Sequence, residues 1–198
     1  MIMSNIINLN NFDTIGDKIY VYKNFLSHDE LESILSYINK IDKWAKEYNT
    51  CESSYHDKVS FIQEKIQDLL SDGYFSNPTN VIKKMSVGNF WKAHSDVHDY
   101  EEIEKKSLKY VDGDDFVEEK LSVFGTIVYY KMPEIGGQLF YPKQKIEYFP
   151  SPGDLVIHGS GPDCEHGVSK IISGERLSTP SNIFKYVKIK KENYNEKK

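Results

Sequence analysis

His94-Ser95-Asp96 places an imidazole and a carboxylate two residues apart. On a strand, alternate side chains share a face, so the two can converge on one cation. The tripeptide alone is a weak signal, because surface strands carry such pairs by chance. His166-Gly167-Val168 follows the Pro152-Gly153-Asp154 turn in a late strand region. If that strand returns beside the earlier one, His94, Asp96 and His166 offer two imidazoles and one carboxylate to a single metal. That donor set leaves coordination positions open and suits iron(II) oxygen chemistry better than a closed structural zinc site. Arg176 lies ten residues beyond His166, with Ser173-Gly174 between them to turn the chain. On the neighbouring strand it would enter the same cavity, where a guanidinium forks onto a carboxylate through two parallel hydrogen bonds. Each element has an ordinary reading, as a core histidine or a solvated arginine. Their coincidence is the signal.

The elements that must position these residues are partly legible. Ser27 and Glu30 form a capping-box pattern, and Leu31, Ile34, Leu35 and Ile38 follow at helical spacing. A second helix is expected from about Tyr55 to Leu70, on the stripe Val59, Ile62, Ile66 and Leu69, with Gly73 as its C-terminal cap. After Gly73 the pattern turns to short β-branched and aromatic runs: Val81-Ile82, Phe124–Tyr130, Leu155–His158 and Ile183–Ile189. Helices first and strands later predict an α+β, mainly β fold with the N-terminal helices packed on one sheet of a jelly roll. One domain is expected over 1–198: a helical support region at 1–80, a jelly-roll core at 81–189 and a polar tail at 190–198. The stretch His98 to Lys120, dense in Glu, Asp and Lys, reads as a long loop, either a lid over substrate or an idle insertion.

Composition narrows the function. With 39% hydrophobic and 28% charged residues among 198, the chain has the makings of one globular domain and not of a disordered tract. A net charge of -5 disfavours a phosphate-backbone grip, so nucleic acid is an unlikely partner. Cys51 and Cys164 cannot build a disulfide framework, which makes a reducing cytoplasm the simplest location. No apolar run is long enough to span a membrane, and Met1 to Asn11 lacks the basic start and apolar stretch of a secretory signal.

The chain resembles the iron(II)/2-oxoglutarate-dependent dioxygenases, specifically their prolyl 4-hydroxylase branch. The resemblance runs through Asn24-Phe25-Leu26-Ser27 and Glu30, Gly88 to Asp96, Thr126 to Tyr130, Gly136-Gly137-Gln138-Leu139-Phe140, Pro152 to Val156, His166-Gly167-Val168 and Gly174-Glu175-Arg176. It implies a double-stranded β-helix core, Fe(II) held by His94, Asp96 and His166, and 2-oxoglutarate anchored by Arg176. It implies consumption of dioxygen, release of succinate and CO2, and hydroxylation of a C–H bond, with ascorbate as a reductant. A peptidyl proline or similar residue is the implied substrate; a small metabolite is the alternative within the same core.

Departures from the family pattern matter. Nine residues before His94 the family carries a tyrosine that bonds the cosubstrate; here Met85 stands there, and Thr126 or Tyr130 is expected to supply the contact. The double glycine is followed by Gln138-Leu139 instead of Glu-Thr. Trp91, Gln138, Tyr141 and His158 are the expected substrate-pocket residues, His158 standing where the family tends to have an apolar residue. Cys164 as a fourth ligand would make a zinc-type site, but a free cysteine is more often a small buried hydrophobe. Nucleic-acid repair dioxygenases carry a second arginine six residues after the first, where this chain has Asn182. A non-catalytic metal-binding jelly-roll module is the remaining alternative. Should Arg176 not be the anchor, Lys170 and Lys185 are next.

Overall fold

The computed structural model describes residues 7, 9–47, 51–77, 80–96 and 116–190. In chain order the elements are β1 (Asp13–Gly16), β2 (Ile19–Tyr22), α1 (His28–Ile38), β3 (Ala45–Glu47), β4 (Cys51–Tyr55), α2 (Phe61–Gln67), β5 (Tyr74–Ser76), β6 (Val81–Met85), β7 (Trp91–His94), β8 (Phe116–Lys131), β9 (Leu139–Tyr141), β10 (Ile146–Tyr148), β11 (Leu155–Gly159), β12 (His166–Val168) and β13 (Arg176–Lys190). A large sheet runs β1-β2-β11-β8-β13-β6-β4-β3, with β5 also on β13; a small sheet runs β10-β9-β12-β7. Strand pairing is antiparallel throughout.

Period-2 alternation along β8 sorts the two cores. Phe124, Val128 and Tyr130 face the helices, where they meet Ile34, Ile38, Ile62 and Ile66. Ile127 and Tyr129 face the small sheet, where they meet Leu139 and Tyr141. Each fully buried aliphatic side chain in these layers contributes about 1.5–3 kcal/mol. A third cluster of Cys51, Met85, Val168 and Ile171, with Trp91 against it, joins the two sheets at one end.

α1 begins as its sequence dictates. Glu30 N–H donates to Ser27 Oγ at 3.3 Å and Ser27 N–H donates to Glu30 Oε2 at 2.7 Å. Glu30 also pairs with Lys65 of α2 at 2.7 Å, and Lys65 donates to the Phe25 carbonyl at 3.0 Å, so one carboxylate ties both helices to the chain entering α1.

The second helix is shorter than its stripe predicts. Cys51–Tyr55 is a strand, because Glu52 to Tyr55 pair with Lys84 to Val81 and Cys51 and Ser53 are buried in alternation. A 3-10 turn at Asp57–Val59 follows, and Asp68, not Gly73, caps α2. Gly73 has φ +83° and serves the turn into β5. Among the described residues five strands precede residue 81, so 1–80 holds more than helices. Within the expected 98–120 loop, Phe116–Lys120 is strand, paired with Lys190–Tyr186; 98–115 lies outside the described residues, as does the tail beyond Lys190.

Ser27→Ala should lower the urea unfolding midpoint by an amount equivalent to about 1 kcal/mol. An unchanged midpoint would show that the Lys65 pair alone holds the start of α1.

Candidate metal centre

β7 and β12 are neighbours in the small sheet, and His94 and His166 are direct cross-strand partners. Partners across an antiparallel pair put their side chains on the same face. The two rings lie 4.6 Å apart. Asp96, just past the end of β7, points back at both: its Oδ1 is 3.9 Å from His94 Nε2 and 4.0 Å from His166 Nε2. One ligand atom from each residue lies within 4.8 Å of the others, which is the only such histidine, cysteine and carboxylate grouping among the described residues.

The imidazoles are set for ligation from behind. His94 Nδ1–H donates to the Lys92 carbonyl and His166 Nδ1–H to the Cys164 carbonyl, both at 3.1 Å. A carbonyl only accepts, so the proton sits on Nδ1 and each Nε2 lone pair faces Asp96. Burial, then the neighbouring His94, push the His166 pKa down to about 3. Burial pushes His158 well below the usual histidine range. Both are neutral near pH 7. Cys164 is fully buried and its thiol is pushed up to about 11 by burial. It serves the site through its carbonyl and is not a ligand.

Arg176 opens β13 opposite Met85 of β6 and is 3% exposed. Its Nη2–H donates to Tyr129 Oη at 3.3 Å, its guanidinium lies 5.0 Å from the Tyr129 ring, Nη1 contacts Met85 Sδ at 3.8 Å, and Nε has no partner. Among the described residues no carboxylate pairs with it. A buried, unpaired charge carries a penalty of about several kcal/mol. The arrangement therefore fits an anion that comes from outside the chain. Burial pushes the Tyr129 hydroxyl up, so it stays protonated.

The two halves share one cavity of about 220 Å³, lined by His94, Asp96 and His166 as well as by Arg176. Thr126, Trp91 and His158 also line it, and Thr126 Oγ1 is buried without a partner. Tyr130 is not brought there. It sits on the helix side of β8, and its hydroxyl donates to Thr179 at 2.6 Å, which donates to the Val81 carbonyl. Adjacent residues on a strand face opposite ways; Tyr129, the residue that sequence reasoning passed over, holds the cavity side. Gln138 is also absent from the wall, because its side-chain carbonyl accepts from Ser169 Oγ at 2.5 Å. Tyr141 is fully buried behind the centre, edge-on to His158 at 5.8 Å. Lys170 and Lys185 lie off the cavity, Lys185 over the Tyr74 ring at 5.2 Å. Lys83, Cys51 and Ser178 line the cavity unanticipated; alternation along β4, β6 and β13 would have found them.

No family model and no curated protein matches the chain. Solved structures do. The viral collagen prolyl hydroxylase vCPH from Paramecium Bursaria Chlorella virus-1, in complex with 2-oxoglutarate, superposes at TM-score 0.61 with 17% identity over 87% of this chain and 99% of that one. A Pseudomonas putida prolyl-4-hydroxylase gives 0.57 at 17% identity over 85% and 92%. HygX from Streptomyces hygroscopicus, with nickel, 2-oxoglutarate and hygromycin B bound, gives 0.57 at 12% identity over 90% and 84%. The chain has the fold of the 2-oxoglutarate/Fe(II) oxygenases.

Histidines buried in the neutral form make the metal-free protein sensitive to acid. The His166 pKa is about 3 when folded and about 6.5 when unfolded. Its depressed value means that the unfolded chain binds the extra proton, so stability is full above pH 6.5 and falls as pH drops toward 3. Between pH 7 and 5 the loss from His166 alone should be about 2 kcal/mol at 1.36 kcal/mol per unit, with His158 adding in the same direction. Urea titrations of chelator-treated protein at the two pH values would show it, and His166→Gln should reduce it. Equal stability at both would rule out neutral burial.

Proposed function

We propose that the chain is an Fe(II)- and 2-oxoglutarate-dependent dioxygenase with a jelly-roll core, and that it hydroxylates a C–H bond of a peptidyl proline or similar residue. The observation that carries this reading is the shared cavity: an open two-histidine, one-carboxylate cluster and a buried guanidinium without a counter-charge face the same space. The residues fit both groups. Two neutral imidazoles and a carboxylate are the donor set for iron(II). The free Nε of Arg176 is a buried polar atom that a dicarboxylate would satisfy.

In this reading His94, Asp96 and His166 hold the iron. Arg176 forks onto the distal carboxylate of 2-oxoglutarate, and the protonated Tyr129 hydroxyl donates to the same group. Bound iron and 2-oxoglutarate supply oxygen activation, with release of succinate and CO2 and transfer of a hydroxyl to the substrate. The protein holds the imidazoles by their Nδ1–H bonds, keeps the cavity dry and neutralises the cosubstrate charge. Ascorbate as reductant and a cytoplasmic setting rest on the family resemblance and the cysteine count.

A peptide substrate is favoured by the ground beside the centre. β7 is the outer strand of the small sheet, and a shallow groove of Phe90, Trp91, Phe140 and Val168 runs beside it. A Trichoplax adhaerens prolyl hydroxylase with a peptide fragment bound has the same fold (TM-score 0.58, 14% identity over 98% of this chain and 90% of that one). Among the described residues no helix is long and apolar enough to cross a membrane. Asn182, where repair dioxygenases have an arginine, and the net charge of -5 weigh against nucleic acid.

With Fe(II), 2-oxoglutarate and a proline-containing peptide library, the protein should release succinate and add one oxygen to a peptide, read by mass spectrometry; His94→Ala, Asp96→Ala and His166→Ala should each abolish both. A wild-type chain that binds iron and 2-oxoglutarate yet forms no succinate with any substrate would favour the non-catalytic module.

The anchor has its own test, calorimetry of 2-oxoglutarate into manganese-loaded protein. Arg176→Leu should weaken binding by about 2–5 kcal/mol, roughly thirtyfold to several thousandfold, and Arg176→Lys by less, since the charge survives without the fork. Tyr129→Phe should cost about 1.5–3 kcal/mol, while Tyr130→Phe leaves the affinity unchanged. The reverse order for the two tyrosines would move the cosubstrate to the other face of β8.

A further inference from the structure

The cavity face of β13 changes character along its length. Arg176, Ser178, Pro180 and Asn182 all line the cavity, as alternate residues of one strand should. Arg176 and Ser178 are buried, whereas Pro180 and Asn182 are half-buried. The face therefore runs from a closed end at the guanidinium to an open end at Asn182, roughly 20 Å away at 3.3 Å per residue.

Asn182 stands level with the candidate metal ligands. It is the register partner of Gly125 on β8, which is in turn the partner of His158 on β11. Cross-strand partners share a face, and the His158 ring packs against that of His166, centroids 3.9 Å apart. Gly125 contributes no side chain between them. Among the described residues the side-chain amide of Asn182 has no hydrogen-bond partner.

Charge at this end of the cavity is already balanced. Lys83 pairs with Glu47. In the reading above, Asp96 faces a divalent cation and Arg176 faces a dicarboxylate, so the four charges offset one another. Among the described lining residues no cation and no carboxylate is left to meet a charged substrate. A substrate charge brought here would lose its water without gaining a partner, which is costly. A primary amide instead offers an acceptor and two N–H donors, the complement of the N–H and C=O of a peptide bond. Pro180 and its register partner Ile127 set an apolar wall beside it.

We infer that Asn182 is a specificity-determining residue: its side-chain amide hydrogen-bonds a main-chain peptide group next to the residue that is oxidised, and so selects an uncharged peptide segment over a free amino acid. The inference rests on the proposed iron and 2-oxoglutarate reading.

Calorimetry under nitrogen tests it, with acetylated and amidated proline peptides titrated into the full chain loaded with manganese and 2-oxoglutarate. The tightest-binding peptide is then remade with each peptide bond in turn replaced by an ester, which removes the N–H and weakens the carbonyl as an acceptor. The wild type should bind the capped peptide and hold free proline more weakly by about tenfold or more. One ester should cost about tenfold. Asn182→Leu should weaken the all-amide peptide by about the same factor and lose its sensitivity to that one ester, a response that a merely structural role would not produce. Asn182→Ala should behave alike and carries the test if the leucine variant does not fold. Free proline bound as tightly as the capped peptide would overturn the inference. So would wild-type affinity in either variant, an ester penalty that persists in full in them, or a loaded wild-type chain that binds no capped peptide. A chain that takes up neither manganese nor 2-oxoglutarate would instead remove the reading beneath it, and is told apart by the loading step alone.

Discussion

The antiparallel pairing of β8 with β13 is the constraint on which everything else hangs. It runs from Leu177 opposite Lys131 to Lys190 opposite Phe116. Along β8 it fixes which side chains face the helices and which face the small sheet, and at the start of β13 it sets Arg176 beside Tyr129. β11 pairs on the other flank of β8, which brings His158 over Gly125. The small sheet then lays His94 and His166 over that face. A one-residue slip of β8 would send Tyr129 to the helices and Tyr130 to the cavity, because strand faces alternate. The site is thus written in register more than in loops.

The centre is built against stability. Two neutral histidines, a guanidinium without a carboxylate and the unfilled polar atoms of Thr126 and Tyr141 are all buried in a small volume. Each raises the free energy of the empty protein. The apolar layers on both faces of the large sheet offset this. A ligand in the cavity that pairs with the guanidinium recovers its share of the penalty as binding energy and stabilises the fold by mass action.

Much of this was legible in sequence, for a physical reason. The histidine, aspartate and arginine positions stand out because strand periodicity and turn residues act over a few positions, as the Ser27–Glu30 cap does at α1. What failed was decided at long range. Choosing between Tyr129 and Tyr130 needs the parity of β8 relative to two cores. Gln138 is polar beside a glycine pair, yet Ser169, far along the chain, takes its amide. The helical stripe places the second helix from about Tyr55, and only the pairing of Cys51–Tyr55 with β6 makes that segment a strand. Segment 98–115, charged and aperiodic, lies outside the described residues, and its reading as a lid or an idle insertion stays an expectation.

β7 carries a candidate metal ligand and, among the described residues, has no strand on its outer side. An unpaired strand edge exposes a ladder of donors and acceptors that another copy of the same strand could claim. Such an edge cannot simply be covered if an extended chain is to reach the centre past it. The sequence Trp91-Lys92-Ala93-His94 answers with a lysine at its exposed position. Two like strands brought edge to edge would set these lysines close together. The molecule thus keeps the approach to its centre open and discourages fibrous self-assembly with a single charge.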